Sequence, residues 1–101
     1  PYDYLLTALG ACKSMTMRMY ADRKKFPLDQ ARVTLRHEKI HAEDCEACET
    51  EEGRVDQIDV EIHLEGDLTD DQRQRIYEIA ERCPVHQSLK NEVSLKSKLT
   101  D

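Results

Sequence analysis

The sequence lacks any run of about 18 apolar residues, which is the length that a membrane span requires, and it lacks the charged and apolar regions of a secretory signal. It also contains no internal repeat and no low-complexity segment. The 101 residues carry 15 Lys and Arg against 21 Asp and Glu, a net charge of −6. Because phosphate binding depends on clustered Lys and Arg, this balance argues against nucleic acid or an anionic membrane as a partner. We therefore predict one domain, residues 1–101, located in the cytoplasm.

The chain does not start with methionine, and its first residue, Pro1, already stands in the first turn of a predicted helix. A domain that opens directly on its most buried helix is unusual. We therefore expect that a segment upstream of Pro1 has been lost.

That first helix is predicted from Pro1 to near Lys25, where three cations and then Pro27 favour its end. Gly10 is unfavourable in a helix interior and suggests that another backbone lies close to it. The apolar positions recur at steps of three and four, which indicates a core helix with only a narrow polar side. The predicted buried positions are Leu5, Leu6, Ala8, Leu9, Cys12, Met15, Thr16, Met19 and Tyr20, and the predicted polar side is Lys13, Ser14 and Arg18.

Alternation of apolar and polar residues predicts two strands that pair as a hairpin. The first runs from Ala31 to about His41 and the second covers Ile58 to Leu64. The loop between them, residues 42–54, is long and acidic, so we expect it to be functional or disordered. His37 and His63 fall on these strands and are predicted to be exposed.

The part of the sequence that follows the second strand predicts two helices and a third strand. Thr69-Asp-Asp-Gln72 is a capping box that starts a second helix. This helix buries Ile76, Ile79, Ala80 and Cys83, and a short helix follows Pro84. The alternation from Val93 to Leu99 predicts the third strand. The fold class is therefore α+β, with a long central helix packed against an antiparallel sheet.

Four cysteines without a secretory signal favour redox or metal chemistry over structural disulfides. Cys83 precedes Pro84 and so falls at a helix N-terminus, where the pKa of a thiol is lowered. Cys12 taken alone is more simply a small core residue. If both thiols face one cavity, however, a sulfenic acid on one can be captured by the other as a disulfide.

Cys45 and Cys48 have the spacing of a redox pair or of half a zinc site. Neighbouring acids raise thiol pKa values and so work against a redox role. Cys83 and His86 could supply the other half of a zinc site. A zinc-binding or non-catalytic structural domain built on Cys45, Cys48, Cys83 and His86 is therefore the alternative, and so is a loop without chemistry.

Two motifs, Leu5-Leu-Thr-Ala-Leu-Gly-Ala-Cys12 and Glu81-Arg-Cys-Pro-Val-His86, resemble those of the OsmC/Ohr family of osmotically inducible and organic-hydroperoxide-resistance proteins. The motifs match in type, order and separation, and the resemblance covers essentially the whole chain. It implies an intertwined homodimer with long central helices inside wrapped sheets and two active sites at the subunit interface. It also implies N-terminal strands that are missing from this chain.

The resemblance further implies a thiol peroxidase that reduces organic hydroperoxides without a cofactor. Cys12 would be the peroxidatic cysteine, Cys83 the resolving cysteine, and an external dithiol such as a lipoylated protein the reductant. The family's catalytic arginine lies in the missing strands, so no residue here takes that role. The glutamate that partners this arginine in the hydroperoxide-resistance branch would fall at Tyr2.

Overall fold

A computed structural model describes residues 1–45, 48 and 53–100 and has the predicted α+β architecture. One long helix lies across a two-stranded antiparallel sheet, and two shorter helices follow the sheet. A single 3-10 turn, Ala42–Asp44, follows the first strand. The elements in chain order are α1 (Tyr2–Lys24), β1 (Leu28–His41), β2 (Arg54–Gly66), α2 (Asp70–Ala80) and α3 (Pro84–Lys90).

Helix α1 ends where the sequence predicted. Lys25 takes the left-handed conformation with φ 60°, and its backbone N–H closes the last turn on Asp22 and Ala21. Arg23 and Lys24 place positive charge at the negative end of the helix dipole. Because Pro27 cannot continue a helix, the chain turns here into β1.

The buried face of α1 differs from the predicted one. Leu9, Lys13, Met17, Tyr20 and Ala21 are buried, at helical steps of three and four. The assignment of Lys13 to the polar side was therefore wrong. So was the predicted burial of Leu5, Ala8, Met15 and Met19, which are exposed in the single chain. The exposed stripe opposite the buried one, which we call the outer stripe of α1, consists of Tyr4, Ala8, Ala11, Met15 and Met19.

Strands β1 and β2 form the predicted hairpin. Their apolar residues share one face, with Val33 opposite Ile62 and Leu35 opposite Val60. Helix α1 packs on this face. A Cβ added to Gly10 would lie 2.9 Å from Leu35 Cδ1, so the close approach inferred at Gly10 is real, but it is made by a side chain rather than a backbone.

Helix α2 starts at the predicted capping box. Gln72 N–H donates to Thr69 Oγ1 at 3.1 Å, and Thr69 N–H donates to Gln72 Oε1 at 3.0 Å. Ile76 and Ala80 then face α1 and are fully buried. They join a core with Met17, Tyr20, Ala21 and Leu28.

The predicted third strand is not formed. Residues 92–100 take no helix or strand, and Val93, Leu95 and Leu99 are 53%, 88% and 92% exposed. A strand needs a neighbouring strand for its backbone N–H and C=O groups, and in the described part of the chain β1 and β2 pair only with each other. Within residues 1–45, 48 and 53–100, none of the helices combines the length and apolarity of a membrane-spanning segment.

Gly66 ends β2 in a conformation that disfavours a side chain. Its φ is 144°, and a Cβ there would overlap the Pro27 carbonyl oxygen. We expect Gly66→Ala to lower the free energy of unfolding by about 3 kcal/mol or more. Gly53→Ala is the matched control, since its φ of 85° costs only backbone strain in open space, about 1 kcal/mol. Urea unfolding measures both, and equal losses would contradict the steric argument.

Candidate functional site

The structure brings Cys12 and Cys83 together. Cys12 lies half-buried in the middle of α1, and Cys83 is fully buried at the start of α3. Both are free thiols, and the Cys12 side chain lies close enough to Cys83 to affect the pKa of its thiol. Two residues 71 positions apart therefore form one thiol pair, at the place where α1 meets the turn between α2 and α3.

That turn positions Cys83 as the sequence predicted. Cys83 is the N-cap of α3 and Pro84 is the first residue of the helix. The Cys83 N–H donates to the Ala80 carbonyl at 3.3 Å, which ties the turn to the end of α2. The Cys83 Sγ accepts from the His86 backbone N–H at 3.4 Å, so the sulfur takes the place of a capping oxygen.

The predicted lowering of the Cys83 pKa is wrong in its net direction. Burial raises the pKa of the Cys83 thiol above its ordinary value, and the neighbouring Cys12 thiol acts in the same direction. The His86 backbone N–H and the Lys13 ammonium both lower the pKa, but burial outweighs them. A fully buried thiol at a helix start is therefore held mainly in its protonated form.

Lys13 is the residue of this site that the sequence reasoning missed. Its side chain is fully buried, and its ammonium donates to the Ala80 carbonyl at 3.1 Å. It also lies 2.8 Å from His86 Nδ1 and 3.6 Å from Glu81 Oε2. The available signal was position, because Lys13 is four residues from both Leu9 and Met17 and so shares their buried stripe.

The His86 imidazole faces Lys13 rather than Cys83. An ammonium has only donors, so His86 Nδ1 accepts and the ring proton lies on Nε2. Burial lowers the pKa of His86, and the Lys13 charge lowers it further, although Glu81 acts in the opposite direction. His86 is thus neutral near pH 7, and it affects Cys83 through its backbone N–H.

A cleft of about 210 Å³ passes along the same side of α1. Leu9, Ile58, Val60 and Leu89 supply most of its wall, and His86, Lys90 and Asp56 supply its polar part. Leu9 stands one helical turn before Cys12, and the His86 backbone N–H donates to Cys83 Sγ. Neither cysteine lines the cleft, so it adjoins the neighbours of the thiol pair, and its wall suits a small, mainly apolar molecule.

The alternative zinc set is not assembled. Cys45 and Cys48 form a disulfide with each other, and disulfide sulfurs are not the thiolates that bind zinc. Cys83 is the N-cap of α3, and His86 lies in the first turn of that helix. In the described ranges 1–45, 48 and 53–100, no three His, Cys, Asp or Glu side chains are grouped as a metal site requires. Residues 46, 47 and 49–52 of the predicted acidic loop lie outside those ranges.

Tyr2, at the position of the family's glutamate, packs against the sheet. Its ring stacks on His37 with centroids 4.0 Å apart, and His37 Nε2 lies 2.9 Å from Asp56 Oδ1. The hydrogen bond from His37, followed by that from Lys39, lowers the pKa of Asp56. His37 is thus half-buried rather than simply exposed as predicted, while His63 is exposed. This cluster fixes the first turn of α1 to the hairpin.

The comparison with known families agrees with the motifs and with this architecture. Among curated proteins, none is significantly similar in sequence to the chain. The family of OsmC-like proteins matches residues 1–98, which is nearly the full length. The match includes both cysteine motifs and all five helices and strands. The chain belongs to the OsmC family.

Proposed function

We propose that this protein is a thiol-dependent peroxidase that reduces organic hydroperoxides with Cys12 and Cys83 as its redox couple. The observation that supports the proposal is the proximity of these two free thiols, one on α1 and the other at the N-cap of α3. Membership of the OsmC family supports the same chemistry, since the family is linked to peroxiredoxin-like activity. Proximity is what a two-cysteine mechanism requires, because the second thiol must reach the first without large movement.

The accessibility of the two thiols assigns their roles. Cys12 is half-buried, so a small peroxide can reach it, whereas Cys83 is fully buried. In the first step the Cys12 thiolate attacks the peroxide, an S–O bond forms, the O–O bond breaks, and the alkoxide leaves and takes a proton as the alcohol. In the second step Cys83 attacks the Cys12 sulfenic acid, an S–S bond forms, and water leaves.

The cleft beside the pair favours an organic hydroperoxide over hydrogen peroxide. Its wall is mainly Leu9, Ile58, Val60 and Leu89, which offer contacts to an alkyl or aryl group but few hydrogen bonds. Burial of such a group contributes about 25 cal/mol per Å² of apolar area. Hydrogen peroxide gains nothing from this wall.

The catalytic cycle closes when an external dithiol reduces the Cys12–Cys83 disulfide and becomes a disulfide itself. The family resemblance points to a lipoylated protein as that dithiol. A couple that must be reduced after each turnover suits a reducing compartment, so we place the protein in the cytoplasm. The Cys45–Cys48 disulfide has no part in this cycle.

The two cysteines can be tested separately. Cys12→Ser is expected to abolish consumption of cumene hydroperoxide, because it removes the attacking thiolate. Cys83→Ser is expected to leave a sulfenic acid on Cys12 that dimedone traps, because nothing then closes the disulfide. Intact-mass analysis with peptide mapping measures both, and in the unmodified protein it should find a Cys12–Cys83 disulfide after one equivalent of peroxide.

The matched control is the double variant Cys45→Ser and Cys48→Ser, which removes the other two cysteines, those of the Cys45–Cys48 disulfide, but leaves the proposed couple intact. It should consume peroxide at the rate of the unmodified protein. Full activity in Cys12→Ser, or loss of activity only in the control, would contradict the proposed roles.

We also propose that the protein is a homodimer joined through the outer stripe of α1. Tyr4, Met15 and Met19 are 84%, 63% and 70% exposed, which is unusual for a row of large apolar side chains on one helix face. A second copy would cover this row with an identical row, as an isologous interface does. The OsmC resemblance implies the same packing of central helices.

A charge placed in this row should separate the subunits. We expect Met19→Glu to shift the protein from a dimer to a monomer in light scattering, because each subunit would bury an unpaired carboxylate in the apolar interface. Gln74→Glu adds the same charge at an exposed position of α2 and should remain dimeric. A monomeric unmodified protein at tens of micromolar would contradict the interface.

A further inference from the structure

Lys13 is the only charged side chain that is fully buried among the described residues. A buried charge is costly unless it is paired and hydrogen-bonded. The Lys13 ammonium meets this condition with three partners, which are the Ala80 carbonyl, His86 Nδ1 and the Glu81 carboxylate. All three belong to the segment that surrounds Cys83 in sequence, with Ala80 and Glu81 before it and His86 after it.

The ammonium therefore lies at the turn that holds one reactive thiol, and its own backbone directly follows the other, Cys12. Only one of its partners is an anion, and that carboxylate lies farthest away, at 3.6 Å. The remaining partners are neutral, because His86 accepts as a neutral ring. The ammonium is thus paired with a single carboxylate, at the longest of its three contacts, and its fully buried side chain lies beside the thiol pair.

The location of the Lys13 ammonium matters most for the step in which the Cys83 sulfur attacks the Cys12 sulfenic acid. A sulfenic acid on Cys12 is captured when the Cys83 S–H bond breaks, the S–S bond forms, the S–O bond breaks, and the departing hydroxide takes the proton as water. Negative charge develops on the Cys83 sulfur as this happens. Burial opposes that charge, since a thiolate in an apolar site has lost its hydration.

We propose that Lys13 is a positioning residue for disulfide closure, whose ammonium stabilises the negative charge that develops on Cys83 as it attacks Cys12. The inference rests on the two-cysteine function proposed above. Lys13 also acts on the geometry of the step, because its bonds to Ala80 and His86 hold the turn against α1. The charge and the tether can be separated by substitution.

The titration of Cys83 tests the charge without any peroxide. In the reduced protein, the 13Cβ chemical shift of Cys83, which needs no access of a reagent to the buried sulfur, is followed by NMR from about pH 6 to about pH 11. Lys13→Gln keeps amide donors for Ala80 and His86 but removes the charge, and Lys13→Met removes both. We expect both variants to move the midpoint of the Cys83 profile upward by about one pH unit.

Two controls isolate the effect. Lys13→Arg keeps the charge and should leave the midpoint near that of the unmodified protein, and Lys24→Met removes an exposed charge from the same helix and should not move it. None of the other titratable residues around the site is substituted in these variants. They are Cys12 on α1, Glu81 after α2, His86 and Lys90 on α3, and Asp56 on β2.

Single-turnover kinetics test the step itself. With one equivalent of cumene hydroperoxide, Lys13→Gln should still form a dimedone-reactive Cys12, and disulfide closure should be about tenfold slower near neutral pH. A Cys83 titration profile of Lys13→Gln that overlays the unmodified one would overturn the proposal. Loss of the native circular dichroism signal in both charge-free variants would assign Lys13 to folding alone and overturn it as well.

These outcomes are distinct from failure of the peroxidase function. If the unmodified protein forms no Cys12–Cys83 disulfide with cumene hydroperoxide, the proposed function fails, whatever the titration profiles show. If the disulfide forms and Lys13→Gln closes it at the unmodified rate, the function stands and the role of Lys13 is wrong.

Discussion

The arrangement of this site depends on how a buried ammonium is satisfied. Lys13 can be buried on α1 only if its donors find acceptors, and those acceptors are the Ala80 carbonyl, His86 and Glu81. Leaving such a charge unpaired costs about 3–5 kcal/mol, which is a large part of the stability of a small domain. A rotation of α1 by one residue would turn Lys13 about 100° away from these partners. The same contact that satisfies the charge therefore fixes the register in which Cys12 meets Cys83.

Two opposing effects act on the pKa of the Cys83 thiol. The start of α3 and the Lys13 ammonium favour a thiolate at Cys83, while burial disfavours it and has the larger effect. Such a thiol is unsuited to attack a peroxide in solution, because it is both covered and protonated. It is well suited to react with a sulfenic acid that forms on the neighbouring Cys12. The difference in burial between the two cysteines thus fits the division of roles proposed for them.

Local sequence signals predicted the parts of the structure that depend on neighbours in the chain. The capping box at Thr69, the Cys83 N-cap before Pro84, and the hairpin alternation around Val33 and Ile62 are all local patterns, and all are present. The strand predicted at Val93 to Leu99 failed because alternation describes a segment that could pair, whereas pairing needs an edge to join. Lys13 was missed because a lysine is usually solvated, and its burial depends on acceptors from residues 80–86 that no local pattern connects to it.

The exposure of apolar residues on α1 also depends on packing that no local pattern describes. Periodicity indicated that both sides of the helix are apolar, but a single chain of this size covers only one of them. Leu9 and Met17 pack within the chain, while Met15 and Met19 do not. Cys12 lies between these two faces, one helical turn from Ala8 on the outer stripe and next to buried Lys13, which is why it is half-buried. A second copy on the outer stripe would therefore pass beside Cys12 but not Cys83. In such a dimer the partner would form one wall of the peroxide's approach to Cys12, and the α2–α3 turn would present the resolving thiol from within the same chain.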